Sequence, residues 1–268
     1  MPSYIALSYG DLALAAVLVL VDGALSLLLD LDIHRQLLVA TLRMVVQLAL
    51  MGVVLTALFR IVSPFWTAVA GLVMVGFAGR EIVARQERRL AGFWAYGLGT
   101  VSMMVSATLV TILALTTAIR PQPWFNPRYA IPLLGMILGN AMTGISLGLN
   151  AFTTGLSQRR PAVEAQLMLG ATRRQALGPV VRQSLRSALM PTINAMSAMG
   201  LVSLPGMMTG QILGGVAPAE AVRYQLLIMF LIAGGTGIGA VAAVMAGLYR
   251  LTDARHRLRL DRLRSPAR

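Results

Sequence analysis

Seven stretches of this chain run for 17 residues or more with almost no charge: 5–29, 37–59, 64–80, 94–119, 129–152, 188–213 and 222–248. A hydrocarbon layer ~30 Å thick asks for about 20 apolar residues in a helix. No water there can satisfy an open backbone, so each stretch has to be helical to cross. The third is the shortest, and the sixth is expected to be broken by Pro191 and Pro205. The expectation is an all-α, polytopic membrane protein with about seven transmembrane helices, built as a single domain over 1–268. Only 12% of the residues are charged and the mean hydropathy is +0.73, where soluble domains carry about 25% charge. The N-terminus, "MPSYIALSYGD", has no basic leader region and no clear cleavage site, and reads as the start of a retained first helix.

The charges that remain are informative. All 23 Lys-plus-Arg residues are Arg, which excludes the phosphate-binding loop that needs a Lys. The absence of Cys removes disulfides, thiolate metal sites and Cys nucleophiles. A net charge of +13 suggests nucleic acid, but the arginines cluster in the loops between apolar runs, which argues against that partner. With the N-terminus outside, segments 30–36, 81–93, 153–187 and the tail from 249, with Arg80 at their edge, hold 18 of the 23 arginines. Four (Arg60, Arg120, Arg128, Arg223) fall on the other side, and Arg43 lies within a span. That bias predicts an inner (plasma) membrane protein whose basic C-terminal tail, 249–268, is cytoplasmic, and it favours an odd number of spans. Lipid headgroups are the expected contact for the tail, with partner binding as the alternative.

The longest loop, 153–187, has order of its own. Pro161 suits the first turn of a helix, and Glu164 follows where the helix dipole favours an acid. Gly170 suits a helix end, and Thr172 can cap a second helix from about Arg173. The prediction is a short helix, a glycine turn and a second helix running into the sixth span. Its Glu-Ala, the Gly six residues after the Glu, and a Pro about twenty residues further on (Glu164, Ala165, Gly170, Pro191) resemble the coupling segment of bacterial ABC-transporter permeases. The resemblance implies that Glu164, Ala165, Leu169, Gly170, Ala171, Thr172 and Arg173 dock on a separate ATPase subunit. That partner would carry ATP and Mg, with no cofactor in this chain.

A narrower resemblance covers nearly the whole chain. The stretches 42–55, 131–150 and 191–230 are similar to the FetB/YbbM permease family. Its members include a bacterial protein assigned to iron export and plant relatives linked to aluminium tolerance, and its assigned substrates range from metal ions to nucleotide sugars. The resemblance implies a permease homodimer with two ATPase subunits, exporting iron or another metal species.

Polar residues inside the spans are the remaining candidates, because ionisable groups in hydrocarbon cost at least ~2.5 kcal/mol and usually face a partner or cavity. Asp11 and Asp22 share a face of the first helix, and Gln36, Arg43 and Gln47 form a stripe on the second. Asp22 and Arg43 fall at similar depths, ~10 and ~9 Å from the same surface at 1.5 Å per residue. An Asp22–Arg43 ion pair extended through Gln47 is therefore expected. Asn140 with Thr143, Asn194 with Ser197, and Gln211 either line a substrate path or bond between helices as packing. Met207 and Met208, with Met196 and Met199 nearby, could serve a soft ion or simply fill space. His34 and His256 lie outside the spans, so no metal cage is expected. Glu81 can pair with Arg85 at i+4. Small residues four apart (Gly135/Gly139, Gly144/Gly148, Gly206/Gly210/Gly214, Gly235/Gly239) fit either close helix packing or a dimer seam.

Three function classes compete. An ATP-driven permease subunit is favoured by the loop and the resemblance. A gradient-driven secondary transporter would show inverted repeats and more mid-membrane acids. A membrane enzyme would need a catalytic constellation; there is no Cys, no His in a span and no HExxH.

Overall fold

The computed structural model describes residues 8–253, 255 and 257–263. The expected start of the first span at residue 5, His256 and the last five residues of the tail lie outside the described residues. Among the described residues nine α-helices follow one another: α1 (Tyr9–Leu28), α2 (His34–Ile61), α3 (Pro64–Ala84), α4 (Trp94–Leu113), α5 (Pro127–Gln158), α6 (Arg160–Met168), α7 (Arg173–Ala198), α8 (Gly206–Leu213) and α9 (Pro218–Arg250). A π-helical turn, Ala114–Ile119, extends α4. Six helices (α1, α2, α3, α4 with its extension, α5 and α9) are long and apolar enough to cross a membrane. The protein is an all-α, multi-pass membrane protein.

Local chemistry sets the helix ends. Ser8 and Asp11 form a capping box at the start of α1, which accounts for one of the two acids placed in the first span. Proline sits in the first turn of α3, α5, α6 and α9, where its missing N–H is no loss. The α1–α2 turn uses left-handed Asp30 and Asp32. The buried Ser26 hydroxyl holds that turn by accepting from the Ile33 N–H at 3.1 Å.

The centre of the bundle is α5 and α9, packed against each other and against α4 and α7. Glycine lets the backbones meet. A Cβ on Gly144 would lie 3.0 Å from the Ala188 carbonyl oxygen of α7, and one on Gly239 2.7 Å from the Ser106 hydroxyl of α4. The Gly144/Gly148 and Gly235/Gly239 pairs thus serve packing within the chain, while Gly139, Gly206 and Gly210 face open space. The α1–α2 hairpin lies outside this core, with nearly all of its side chains exposed.

The sixth span, 188–213, is broken as expected, but before Pro205 and not at Pro191. Helix α7 begins in the arginine-rich loop, passes through Pro179 and Pro191, and ends at Ala198. After it the chain turns at Gly200 (φ +86°) and resumes as the short α8 behind Pro205. A left-handed glycine and a proline within six residues stop a helix that the apolar composition alone would continue. The described part of the tail folds back on the bundle, where the Ala91 N–H donates to the Arg262 carbonyl at 2.7 Å. Leu258, Leu260 and Leu263 pack on the core, and Arg262 Nη1 donates to the Arg250 carbonyl at 2.8 Å. At the bend, backbone N–H groups of Arg257 and Arg255 hold Asp253 below the ordinary carboxylate range.

Candidate functional site

The helix–turn–helix expected over 161–187 is present at the arginine-rich end of the bundle. Arg159 closes α5 and opens α6, so no linker separates them. Val163 anchors α6 to the core, with Leu167 beside it. At its end, Gly170 is left-handed at φ +89°. Its N–H donates to the Leu167 carbonyl at 3.1 Å, and the Ala171 N–H donates to Gln166 at 3.0 Å, which is the Schellman pattern. A capping box between Thr172 and Gln175 then starts α7.

The seven residues assigned to docking separate by role. Ala165 and Leu169 face outward, Leu169 with 87% of its surface exposed. Glu164 pairs within its own helix to Arg160, Nε to Oε1 at 2.8 Å. Gly170 and Thr172 shape the turn. Ala171 packs on the core, and the Arg173 guanidinium carbon lies 4.5 Å above the Tyr249 ring of α9. Sequence reading missed Met168, 82% exposed beside Leu169, and Tyr249. An apolar pair on a charged segment was a readable signal for Met168; nothing in the sequence marked Tyr249.

The polar span residues fall in three places. Asn140 and Thr143 on α5, and Asn194 and Ser197 on α7, lie on neighbouring helices whose outer sides form one face. Gly148 packs against Ala188 and Gly155 against Val180, so the two helices run antiparallel. The stripe on α5 continues as Asn140, Thr143, Leu147, Asn150 and Thr154, and that on α7 as Gln183, Ser187, Met190, Asn194 and Ser197. Spacings of three and four keep each set on one side of its helix. Asn140, Thr143 and Ser197 donate to carbonyls of their own helices at 2.8, 3.1 and 2.9 Å. None of these three bonds reaches another helix of the chain. Toward the arginine-rich end the stripes bound a cavity of about 370 Å³ lined by Glu87, Asn150, Thr154, Gln158, Gln183 and Ser187 among others. There the Asn150 carbonyl oxygen accepts from the Glu87 N–H at 3.0 Å, and the buried Thr154 hydroxyl has no hydrogen-bond partner. Asn150, Thr154, Gln183 and Ser187 were missed, although their spacing from Asn140 and Asn194 is in the sequence.

The other candidates lie elsewhere. Gln47 is exposed on α2. Met207, Met208 and Gln211 belong to α8, where Met207 packs on the core and the Gln211 side-chain Oε1 is buried with no hydrogen-bond partner among the described residues. Nearby, the buried Gln225 of α9 directs its amide at the Met199 sulfur, 3.9 Å away. The Asp22–Arg43 pair is not formed. Arg43 donates to Glu81 of α3 at 2.5 Å, while Arg85 lies 4.0 Å from the same carboxylate. Asp22 is exposed, with no ion pair. Equal depth brings two residues level but does not rotate them together; α2 turns Arg43 toward α3, and Gln47 has no pair to extend. Among the described residues, no three His, Asp or Glu gather as a metal site.

Six membrane-length helices among the described residues, with a short charged helix at one end, define a multi-pass membrane protein. The chain belongs to the family described as "Uncharacterised protein family (UPF0014)", whose pattern matches residues 9–252. It is 30% identical over 254 residues to the Escherichia coli (strain K12) protein named "Probable iron export permease protein FetB", covering 95% of this chain and 96% of that one. It is 32% identical over 231 residues to the Arabidopsis thaliana "Protein ALUMINUM SENSITIVE 3", covering 86% and 82%. With "UPF0014 membrane protein YjkA" of Bacillus subtilis (strain 168) the identity is 33% over 228 residues, covering 84% and 87%. No solved structure matches the chain.

Proposed function

We propose that this chain is the membrane-spanning permease subunit of an ABC transporter, without catalytic chemistry of its own, that exports iron or another metal species. Two copies would work with two copies of a separate ATPase carrying ATP and Mg, in a bacterial inner membrane. The N-terminus would lie outside, with the arginine-rich end and the tail facing the cytoplasm. The observation that carries the reading is the α6 tip. A helix too short to span, held to the core by Val163 and reversed at Gly170, presents Met168 and Leu169 almost fully exposed. Exposed apolar side chains on a rigid charged element mark a surface that another protein covers. The relative named as an iron export permease supports the cargo.

In this mechanism ATP binding draws the two ATPase subunits together and carries the α6 tips with them. The α5/α7 polar face, turned toward the second copy, alternates between the two sides of the membrane. Amide and hydroxyl groups there can replace part of a hydration shell without holding the cargo tightly. The test uses inside-out vesicles containing the chain and its ATPase, with ferrous iron as probe. Leu169→Glu should abolish co-purification of the ATPase and ATP-dependent iron uptake while the chain stays in the membrane. Uptake that persists without ATP, or an ATPase still bound to Leu169→Glu, overturns the reading in favour of gradient-driven transport or a different docking surface.

A further inference from the structure

We infer that Tyr249 is the positioning residue that ties the α6–α7 turn to α9, so that displacement of α6 is delivered to the centre of the bundle. This rests on the reading of α6 as the ATPase-docking helix. Arg173 and Arg174 are the first two residues of α7, immediately after the Gly170 turn and the Thr172 cap. Both hold Tyr249, and in different ways. Arg174 Nη2 donates to the Tyr249 hydroxyl at 2.7 Å, while the Arg173 guanidinium lies 4.5 Å above the ring. One grips the edge of the side chain and the other its face, so the ring can neither slide nor flip without breaking a contact.

The far side of the brace is equally well placed. Tyr249 is the penultimate residue of α9, the helix that packs against α4, α5, α7 and α8. At the next position Arg250 stacks on Trp94, 4.7 Å from its ring centroid, and its carbonyl accepts from Arg262 of the tail. The end of α9 is therefore a junction of the docking turn, the start of α4 and the tail. Helix α6 packs on α5 and α7, so a polar link from its turn to α9 adds a third route into the core. Capped at Thr172, the first turn of α7 moves as one piece with both arginines.

Because the chain has no Cys, single cysteines can carry spin labels without background. Ala162→Cys on α6 and Ala242→Cys on α9 are exposed positions. In the complex with the ATPase, the distance between equivalent labels on the two copies is measured without nucleotide and after trapping with Mg-ATP and vanadate. In the otherwise unchanged protein both distances should shift. Tyr249→Phe, which keeps the ring under Arg173 and removes the acceptor for Arg174, should leave the α6 shift intact and lose most of the α9 shift. Its thermal midpoint should fall only slightly, because the lost bond is exposed, and Arg174→Lys should retain more of the α9 shift than Arg174→Ala. An α9 shift as large in Tyr249→Phe as in the parent overturns the brace, as does a parent in which α6 moves and α9 does not. If α6 does not move in the parent, the docking reading falls and takes the brace with it.

Discussion

Arg43 chooses between two carboxylates, and rotation rather than depth decides. It lies within the second span, where an unpaired guanidinium is costly, and Glu81 of α3 reaches it at 2.5 Å while keeping only 25% of its side chain exposed. A hydrogen bond to a charged group contributes about 1.5–3 kcal/mol. Glu81→Gln should lower stability by that order in thermal unfolding of the detergent-purified protein. Asp22→Asn should change it little, within roughly 0.5 kcal/mol. The reverse ranking would restore the Asp22 pairing. Chain spacing gave the depth of these residues but not their partner: the Gln36, Arg43 and Gln47 stripe marks one side of α2 without saying whether α1 or α3 meets it.

Elements whose ends are set by neighbours in sequence were the readable ones. Pro161, Gly170 and Thr172 each act within four residues of themselves, and the helix, the turn and the second helix stand where those residues put them. Gly170 is required by its φ of +89° and not by crowding, since a Cβ there would touch nothing within 4 Å. Gly170→Ala should therefore weaken the turn by about 1–2 kcal/mol through backbone strain alone, and Thr172→Ala by ~1 kcal/mol through the lost cap. Hydrogen exchange in the first turn of α7 should report both losses, with the rest of α7 unchanged. Exchange that speeds along the whole helix would mean that the turn supports more than its own start. The exact place of the break after Ala198 and the course of the tail were harder to read. Proline marked the sixth span as broken, but α7 runs through Pro191 and stops only before the Gly200 turn. The tail depends on Leu263 pairing with Leu90 and on Leu258 and Leu260 packing on the core, contacts far away in sequence that no local pattern encodes.

Across the whole molecule, the surface divides into apolar sides and one polar side. The α1–α2 hairpin shows apolar side chains nearly all round, as a lipid-facing element does, whereas Asn140, Asn194 and Ser197 are exposed between helices of the core. Amides turned to hydrocarbon would be costly, so that face meets water or another polar surface. Cysteines introduced at Asn140 and Asn194 should react with a small water-soluble thiol reagent, and one at Leu20 should not. Equal reactivity at all three would remove the distinction between the faces.

Arg159 completes the picture at this scale. Since it ends α5 and starts α6, the two rods share a pivot with no slack residue to soak up strain. Helix α5 has 32 residues, about 48 Å at ~1.5 Å per residue. On the proposed docking reading, a sideways nudge at Leu169 would enter α5 directly at its last turn, as leverage on a long arm.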